Sequence, residues 1–195
     1  MAKLYYKYGA MGSSKTAQAL IAKFNYEERN MRVWLIKPDV DDRDGKNVVR
    51  SRIGLEAECE TISKQDDIYR LFTEYHSDAD VVISDECQFF TEAHIDQLRR
   101  IVDECNVAVM CYGLRADFLN HLFTGSKRLF ELADSIAEIK TVCSCGSKAI
   151  VNARIDENNN IVTEGEQVLL GSNDRYIAMC HKCWTEKIKK QKEVK

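Results

Sequence analysis

Near its amino terminus the chain reads Gly9-Ala10-Met11-Gly12-Ser13-Ser14-Lys15-Thr16. The apolar stretch Leu4–Tyr8 before it predicts a β-strand, and the periodic stretch Lys15–Glu28 after it predicts an α-helix. A strand, a glycine-containing turn, Lys-Thr and a helix, in this order, are what a phosphate-binding loop requires, because backbone N–H groups and the helix N-terminus then surround the phosphates. Lys15 supplies a charge for the β- and γ-phosphates, and the Thr16 hydroxyl is suited to coordinate Mg²⁺.

One position departs from the usual G-x-x-x-x-G-K-[ST] pattern, since Ser14 stands where the second glycine is expected. If that position needs a positive φ, the serine costs about 1 kcal/mol, and Gly12 can take up part of the bend. The alternative is a turn that resembles the motif by chance. The order of strand, glycines, Lys-Thr and helix argues against that alternative.

The rest of the chain alternates short apolar runs with helical stretches, a pattern that predicts a parallel sheet covered by helices. The further predicted strands are Val33–Ile36, Val81–Ser84, Val107–Cys111 and Ile136–Val142. The further predicted helices are Gln65–Tyr75, Thr91–Glu104 and Ser126–Ala133. The first helix places Ala17, Leu20, Ile21 and Phe24 on one face, and a polar stretch from Pro38 to about Gly54 predicts a long loop.

Two acids, Asp85 and Glu86, follow the predicted strand Val81–Ser84. In proteins with a phosphate loop, a carboxylate at a strand's carboxyl end holds Mg²⁺, and Asp85 fits that role. Glu86 points to the opposite side of the chain and could take a proton from a substrate hydroxyl or from water. Acids also end strands without any function, and the pair alone does not separate a kinase from an ATPase.

Four of the eight cysteines form two close pairs in the last third of the chain, Cys143-x-Cys145 and Cys180-x-x-Cys183. Four thiolates in two pairs match a closed tetrahedral zinc site, which is structural because it leaves no open position. His181 lies inside the second pair and could compete as a ligand, but Cys183 has the better spacing. The alternative is four free thiols. The other cysteines, Cys59, Cys87, Cys105 and Cys111, are scattered and indicate ordinary buried thiols.

Composition narrows the class of protein. A hydrophobic fraction of 45% in 195 residues supports a packed core, and the net charge of −3 argues against a general nucleic-acid binder. No apolar run is long enough to cross a bilayer, and Met1–Lys7 lacks the apolar core of a signal peptide. We therefore expect a cytosolic location with no membrane partner. The Lys-rich tail, Lys187–Lys195, indicates a solvated helix end.

Together the phosphate loop, the segment Asp85-Glu86-Cys87-Gln88-Phe89 and the terminal cysteine pairs resemble the zinc-containing type II thymidine kinase family, over essentially the whole chain from Gly9 to Trp184. The segment Lys37-Pro38 with Asp41-x-Arg43 is also similar to the family, as is Gly113-Leu114 with Phe118 and Phe123. This chain has a C-x-C pair where many relatives have C-x-x-C.

The resemblance implies an α/β fold: a P-loop NTPase-type parallel sheet flanked by helices, with a small C-terminal zinc-ribbon or lasso domain. We place the boundary near Thr141, which divides a kinase domain at 1–141 from a zinc-held lasso domain at 142–195. The implied activity is transfer of the ATP γ-phosphoryl group to the 5′-hydroxyl of thymidine in deoxynucleoside salvage. The resemblance also implies a homotetramer and feedback inhibition by dTTP.

Site residues follow from the same resemblance. Glu86 is the implied base, and Lys15 and Arg43 balance charge on the transferring group. ATP with Mg²⁺ is assigned to Gly9, Ala10, Met11, Gly12, Ser13, Ser14, Lys15, Thr16, Asp85 and Gln88. The nucleoside is assigned to Met11, Asp41, Arg43, Leu114, Phe118, Phe123, Leu169, Leu170, Gly171, Ser172 and Tyr176. Structural Zn²⁺ is assigned to Cys143, Cys145, Cys180 and Cys183.

Purely structural roles for several of these residues, and two other functions for the chain, also agree with the sequence. Phe118 and Phe123 could be core aromatics, Met11 could pack beneath the loop, and Asp41 with Arg43 could be an exposed charge pair. The main rival is a P-loop ATPase whose zinc ribbon binds nucleic acid. A third hypothesis is a zinc-stabilised interaction module without catalysis, but it gives no role to Lys15 and Glu86.

Overall fold

The computed structural model describes residues 1–41, 45–167 and 176–193. Its centre is a six-stranded sheet with the order β5-β2-β6-β7-β1-β8, in which every neighbouring pair is parallel. The strands are β1 (Leu4–Tyr8), β2 (Val33–Pro38), β3 (Val48–Arg50), β4 (Glu56–Glu58), β5 (Glu60–Ile62), β6 (Val81–Ser84), β7 (Ala108–Gly113), β8 (Ser135–Glu138), β9 (Thr141–Val142), β10 (Lys148–Ala149), β11 (Val151–Arg154) and β12 (Tyr176–Met179). The predicted α/β fold class is confirmed.

Helices cover both faces of this sheet. They are α1 (Lys15–Glu27), α2 (Ile68–Tyr75), α3 (Glu92–Cys105) and α4 (Thr124–Leu132). The remaining helix, α5 (His181–Glu193), packs on β11 in the last third of the chain. Side chains of β6 alternate between the faces: Val82 packs in the core shared with α2, α3 and α4, whereas Val81 and Ile83 pack in the core shared with α1. All three are fully buried, as expected for a central strand of a parallel sheet. No helix in the described residues is both long and apolar enough to span a bilayer.

The last third of the described chain has a small core of its own. Strands β9 and β10 form one antiparallel pair, and β11 and β12 form another. Their buried side chains pack with those of α5 in a separate cluster that includes Val151, Ile161 and Met179. The change from the parallel sheet to these small sheets falls between Glu138 and Thr141. The division into domains near Thr141 stays a prediction.

Strand register brings three loops to one edge of the sheet. Tyr8 at the end of β1 pairs with Gly113 at the end of β7, and Ser84 at the end of β6 pairs with Cys111. Because the strands are parallel, the segments that follow them leave the sheet side by side. The phosphate loop, the acidic pair after Ser84 and Leu114 therefore meet at the carboxyl edge.

The structure corrects three details of the sequence prediction. The polar stretch predicted as a loop includes β3, which pairs with β4 in a hairpin. A strand of three residues, Val48-Val49-Arg50, is too short to show an alternating pattern in the sequence. The single strand predicted at Ile136–Val142 is divided between β8 and β9, which belong to different sheets. On α1, Ala17 and Leu20 are buried, but Ile21 and Phe24 are 47% and 57% exposed.

Candidate active site and zinc centre

The phosphate loop contains two residues in the left-handed region. Gly12 has φ +72° and Ser14 has φ +63°. Ser14 therefore has the conformation that favours glycine, and the cost anticipated from the sequence applies to it. Gly9 is required for a different reason, because a Cβ there would lie 2.3 Å from Ser13 Oγ and 2.4 Å from the Ile139 carbonyl oxygen.

We expect Ser14→Gly to raise the free energy of unfolding by about 1 kcal/mol, because glycine adopts a positive φ without a steric penalty. Chemical denaturation of the nucleotide-free protein measures the change. Ser77→Gly is the matched control, since Ser77 is an exposed turn serine outside the set of positive-φ residues. If Ser14→Gly is no more stable than wild type, the loop is not strained at this serine.

Lys15 is folded back against its own loop. Its side chain is 8% exposed, and Nζ donates a hydrogen bond to the Ala10 carbonyl oxygen at 2.9 Å and lies 3.4 Å from Ser13 Oγ. Burial lowers the pKa of Lys15, and the nearby carboxylates of Glu86 and Asp85 act in the opposite direction. Lys15 thus lies in the electrostatic field of both acids that follow β6.

Asp85 and Thr16 contact each other where sequence analysis placed the metal. The Thr16 hydroxyl donates a hydrogen bond to the Asp85 carboxylate, and Asp85 is 4% exposed. Burial first, and then the charge of Glu86, raise the pKa of Asp85 to about 7. A hydroxyl and a buried carboxylate in contact offer the hard oxygen ligands that Mg²⁺ prefers, so these residues fit the predicted metal.

An amide at position 85 should therefore stabilise the nucleotide-free protein. The folded-state pKa of Asp85, about 7, lies above its ordinary value of 3.8, so ionisation is disfavoured by folding. The free energy of unfolding of wild type should increase as pH falls from about 7 towards 4, and that of Asp85→Asn should not show this increase. At pH 8 the free energy of unfolding of Asp85→Asn should exceed that of wild type by about 1 kcal/mol or more.

Denaturation of both proteins at pH 8 and pH 5 checks this expectation. The control is Asp78→Asn, which alters an exposed ion pair with Arg32 and should leave stability within a few tenths of wild type. Turnover with ATP and Mg²⁺ should fall in Asp85→Asn but not in the control. If Asp85→Asn is less stable than wild type at pH 8, burial of the Asp85 carboxylate does not destabilise the folded protein and the expectation is wrong.

Glu86 is held in an unusual backbone conformation by its neighbours. It has φ +49°, which is uncommon for a non-glycine residue and costs backbone strain that the surrounding contacts must offset. Gln88, 1% exposed, donates through Nε2 to the Glu86 carboxylate and accepts through Oε1 from the Leu114 N–H at 2.9 Å. Gly113 leaves room for this, because a Cβ there would lie 2.6 Å from Gln88 Oε1.

The contacts of Gln88 are therefore those of a residue that orients Glu86. The sequence assigned Gln88 to ATP, which stays a prediction. The Leu114 carbonyl oxygen also accepts hydrogen bonds from Tyr6 Oη at 2.9 Å and Ser126 Oγ at 2.6 Å. Both the N–H and the carbonyl oxygen of Leu114, which follows β7, therefore form hydrogen bonds. Through Gln88, this backbone also holds the Glu86 carboxylate in place.

The four terminal cysteines converge as the spacing predicted. The sulfur atoms of Cys143, Cys145, Cys180 and Cys183 all lie within 4.8 Å of one another, and Cys145 and Cys180 are 3.7 Å apart. Tetrahedral zinc with sulfur at about 2.3 Å requires sulfur–sulfur distances of roughly 3.8 Å, so the donors fit Zn²⁺. His181 is outside this set, because its ring contacts Thr185 and Trp184. Hydrogen bonds from Ser147 lower the pKa of Cys145 to about 6, whereas hydrogen bonds with Cys145 and Cys180 raise the pKa of Cys183 to about 12, so the thiols of the cluster hold their protons unequally.

Comparison with known proteins agrees with this arrangement. The family model for thymidine kinase matches residues 2–184. A thymidine kinase of Photobacterium profundum is 43% identical over 188 residues, covering 95% of this chain and 98% of its own length. Those of Zymomonas mobilis and Agrobacterium fabrum are 42% and 43% identical, covering 96% and 95% of this chain and 98% and 97% of their own lengths. The chain belongs to the thymidine kinase family.

A link between the part of this thymidine kinase family member that carries the four cysteines and its phosphate loop was not visible in the sequence. Asn152 on β11 is 4% exposed. Its Oδ1 accepts a hydrogen bond from the Met11 N–H at 2.8 Å, and its Nδ2 donates to the Ala116 carbonyl oxygen at 2.8 Å. Asn152 thus joins β11, the phosphate loop and the segment after Leu114. An asparagine in a short strand carries no motif that could have marked it.

The residues predicted to bind the nucleoside are distributed around these groups. Phe118 and Phe123 are buried, at 1% and 6% exposure, and Phe123 packs edge-on against Phe89. Asp41 is 7% exposed, with Oδ2 3.9 Å from the buried Lys37 Nζ, so it is not an exposed charge. Tyr176 begins β12 and accepts hydrogen bonds from Arg154. Arg43, Leu169, Leu170, Gly171 and Ser172 lie outside the described residues.

Proposed function

We propose that this chain is a thymidine kinase that transfers the γ-phosphoryl group of ATP to the 5′-hydroxyl of thymidine, with Glu86 as the general base. The observation that carries the proposal is the position of Glu86. It follows β6 at the carboxyl edge of the sheet, its carboxylate is held by Gln88, and its charge acts on Lys15 of the phosphate loop. Membership in the thymidine kinase family, with relatives of that name over nearly the full chain, supports the reaction and the substrate.

ATP is proposed to bind with its phosphates in the loop Gly9–Thr16. The N–H groups of the loop and the N-terminus of α1 face the phosphates there, as in other phosphate loops. Lys15 leaves the Ala10 carbonyl oxygen to contact the β- and γ-phosphates. Thr16 and Asp85 hold Mg²⁺, which neutralises charge on the phosphates when bound.

The chemical step is a single displacement. The thymidine 5′-oxygen attacks the γ-phosphorus, the bond from that phosphorus to the β–γ bridging oxygen breaks, and ADP leaves. The Glu86 carboxylate accepts the hydroxyl proton as the new bond forms. Lys15 and Arg43 balance the charge that is spread over the transferring group.

Thymidine is proposed to lie between the phosphate loop and the zinc-held part of the chain. The base lies near Phe118, and the residues proposed to contact the nucleoside are Met11, Asp41, Arg43, Leu114, Phe118, Phe123, Leu169, Leu170, Gly171, Ser172 and Tyr176. The closed four-cysteine site binds Zn²⁺ and acts on the substrate only through the folding of residues 142–195.

Assembly, regulation and location are proposed on the family resemblance. The chain is expected to form a homotetramer in the cytoplasm and to be inhibited by dTTP. The exposed Ile21 and Phe24 on α1 are apolar side chains that such an assembly could cover. No nucleic acid is proposed as a partner, which agrees with the net charge of −3.

Transfer of labelled phosphate tests the proposal. With γ-labelled ATP, Mg²⁺ and thymidine, the label should appear in thymidine monophosphate in a 1:1 ratio with ADP. Label recovered only as inorganic phosphate would mean that water is the acceptor, and the kinase assignment would then be wrong.

A further inference from the structure

Arg154, the last residue of β11, is a buried cation. Its side chain is 3% exposed, and the plane of its guanidinium lies over the Phe118 ring, with Cζ 3.7 Å from the ring centroid. Its Nε and Nη2 donate to Tyr176 Oη at 2.9 and 2.6 Å, and Nη2 also donates to the Gln167 carbonyl oxygen at 3.2 Å. Among the described residues, no carboxylate forms an ion pair with it.

Such burial fixes the geometry of all the groups involved. Removing a guanidinium from water is costly unless its donors and faces are satisfied. Here an aromatic face stacks on its plane, and two oxygens accept from its fork of N–H groups. Lysine has neither the plane nor the fork, so only arginine makes this set of contacts.

The same contacts hold together three separate segments of the chain. Gln167 donates through Nε2 to Asp117 Oδ2 at 2.9 Å, and Asp117 Oδ1 accepts from the backbone N–H groups of Leu119 and His121. The residue that carries the stacked ring, Phe118, is therefore fixed from both sides. Arg154 connects this turn to Gln167 and to Tyr176 at the start of β12.

We propose that Arg154 is a positioning residue that sets the affinity for the nucleoside by holding Phe118 and Tyr176 in place. The inference rests on the proposed function, in which both aromatic residues belong to the thymidine site. Arg154 does not touch the reacting atoms in this account. Its effect is on the KM for thymidine and not on the KM for ATP.

Kinetics of Arg154→Lys test this role. The variant keeps the charge and loses the stacked plane and the fork. The KM for thymidine should rise about tenfold, as expected for the loss of one or two hydrogen bonds to a charged group, while the KM for ATP stays within about twofold. Bound zinc should stay at the wild-type ratio. Arg128→Lys is the matched control, since Arg128 on α4 pairs with Asp96 and Glu131 and should show neither change.

Tyr176→Phe tests the same contacts from the other partner, because it removes the oxygen that accepts two of the Arg154 hydrogen bonds and keeps the ring. It should raise the thymidine KM in the same way. The double variant should be about as impaired as the worse single variant, because both changes break the same contacts. If Arg154→Lys loses zinc or fails to fold, Arg154→Gln replaces it in the same kinetic comparison, because Tyr176 is itself assigned to the thymidine site and a change there does not isolate Arg154.

Three outcomes would overturn the inference. These are an unchanged thymidine KM in the folded variants, an equal rise in the KM of both substrates, or fully additive effects in the double variant. Normal thymidine-dependent turnover in wild type with any of these results overturns only the role of Arg154. No thymidine-dependent turnover in wild type overturns the proposed function, and this inference with it.

Discussion

Glu86→Gln should lower kcat by about 10²–10⁴-fold, the usual contribution of a general base, while ATP still binds. The amide cannot accept the proton of the 5′-hydroxyl. Its oxygen can still accept the hydrogen bond that Gln88 donates to Glu86, so the position of the side chain should be kept. The loop Gly9–Thr16, to which the phosphates of ATP are assigned, does not include position 86, which is why nucleotide binding should persist.

Steady-state kinetics and ATP titration calorimetry together separate chemistry from binding. Glu92→Gln is the matched control, because Glu92 is an exposed glutamate in the first turn of α3 and lies outside the site. Its kcat should equal that of wild type. Wild-type kcat in Glu86→Gln would remove Glu86 from the role of base. Loss of ATP binding in the same variant would assign it to the nucleotide instead.

The second large effect is expected from the zinc centre. Cys145→Ser should reduce bound zinc from about one ion per chain to almost none, because the closed site requires all four sulfur ligands. The small core around Val151, Ile161 and Met179 is too small to be stable alone, so it should unfold when the metal is lost. Thymidine-dependent turnover should then fall by at least about tenfold.

The loss should be confined to one part of the chain. Hydrogen exchange should become fast in β11 and β12, while β1, β6 and β7 of the parallel sheet stay protected. A small increase in hydrogen exchange is expected in the phosphate loop as well, because Asn152 on β11 accepts a hydrogen bond from the Met11 N–H. Cys105→Ser on α3 is the control, because this thiol is outside the cluster. Unchanged thymidine affinity after zinc loss would contradict a structural role for the metal.

The parts of the fold and site that the sequence predicted are those with a local pattern. The loop Gly9–Thr16, the strand before Asp85 and the cysteine pairs each combine spacing with residue type, and the structure has a strand–loop–helix and a four-sulfur cluster at these positions. Parallel strands then bring their carboxyl ends together, so the meeting of the loop with Asp85 follows from topology. Thr16 contacts Asp85 as that argument requires.

The parts that the sequence did not predict depend on contacts between distant segments. The strands β3 and β4 have only three residues each, which is too short for a periodic pattern to be detected. Ile21 and Phe24 follow the helical period but face outward, because α1 packs on the sheet through Ala19 and Leu20, with Ala22 and Tyr26 partly buried beside them. Periodicity gives the faces of a helix and does not give the side on which the sheet lies.

Buried polar residues are the other group that sequence reasoning missed. Gln88 lies in the recognised motif, but its bond to Glu86 and Leu114 depends on how β6 and β7 end. Asn152 and Arg154 occupy a strand of four fully buried residues, where a sequence predicts apolar side chains. Their partners are 13 or more positions away along the chain, so only the folded structure identifies them.

ADP release in a coupled assay, with ATP and Mg²⁺, tests the central claim most directly. Thymidine and single-stranded DNA are added separately to wild type and to Glu86→Gln. The account predicts ADP release that depends on thymidine, ignores DNA and is lost in the variant. Release in wild type that ignores thymidine but rises with DNA would contradict the account and would favour an ATPase that acts on nucleic acid.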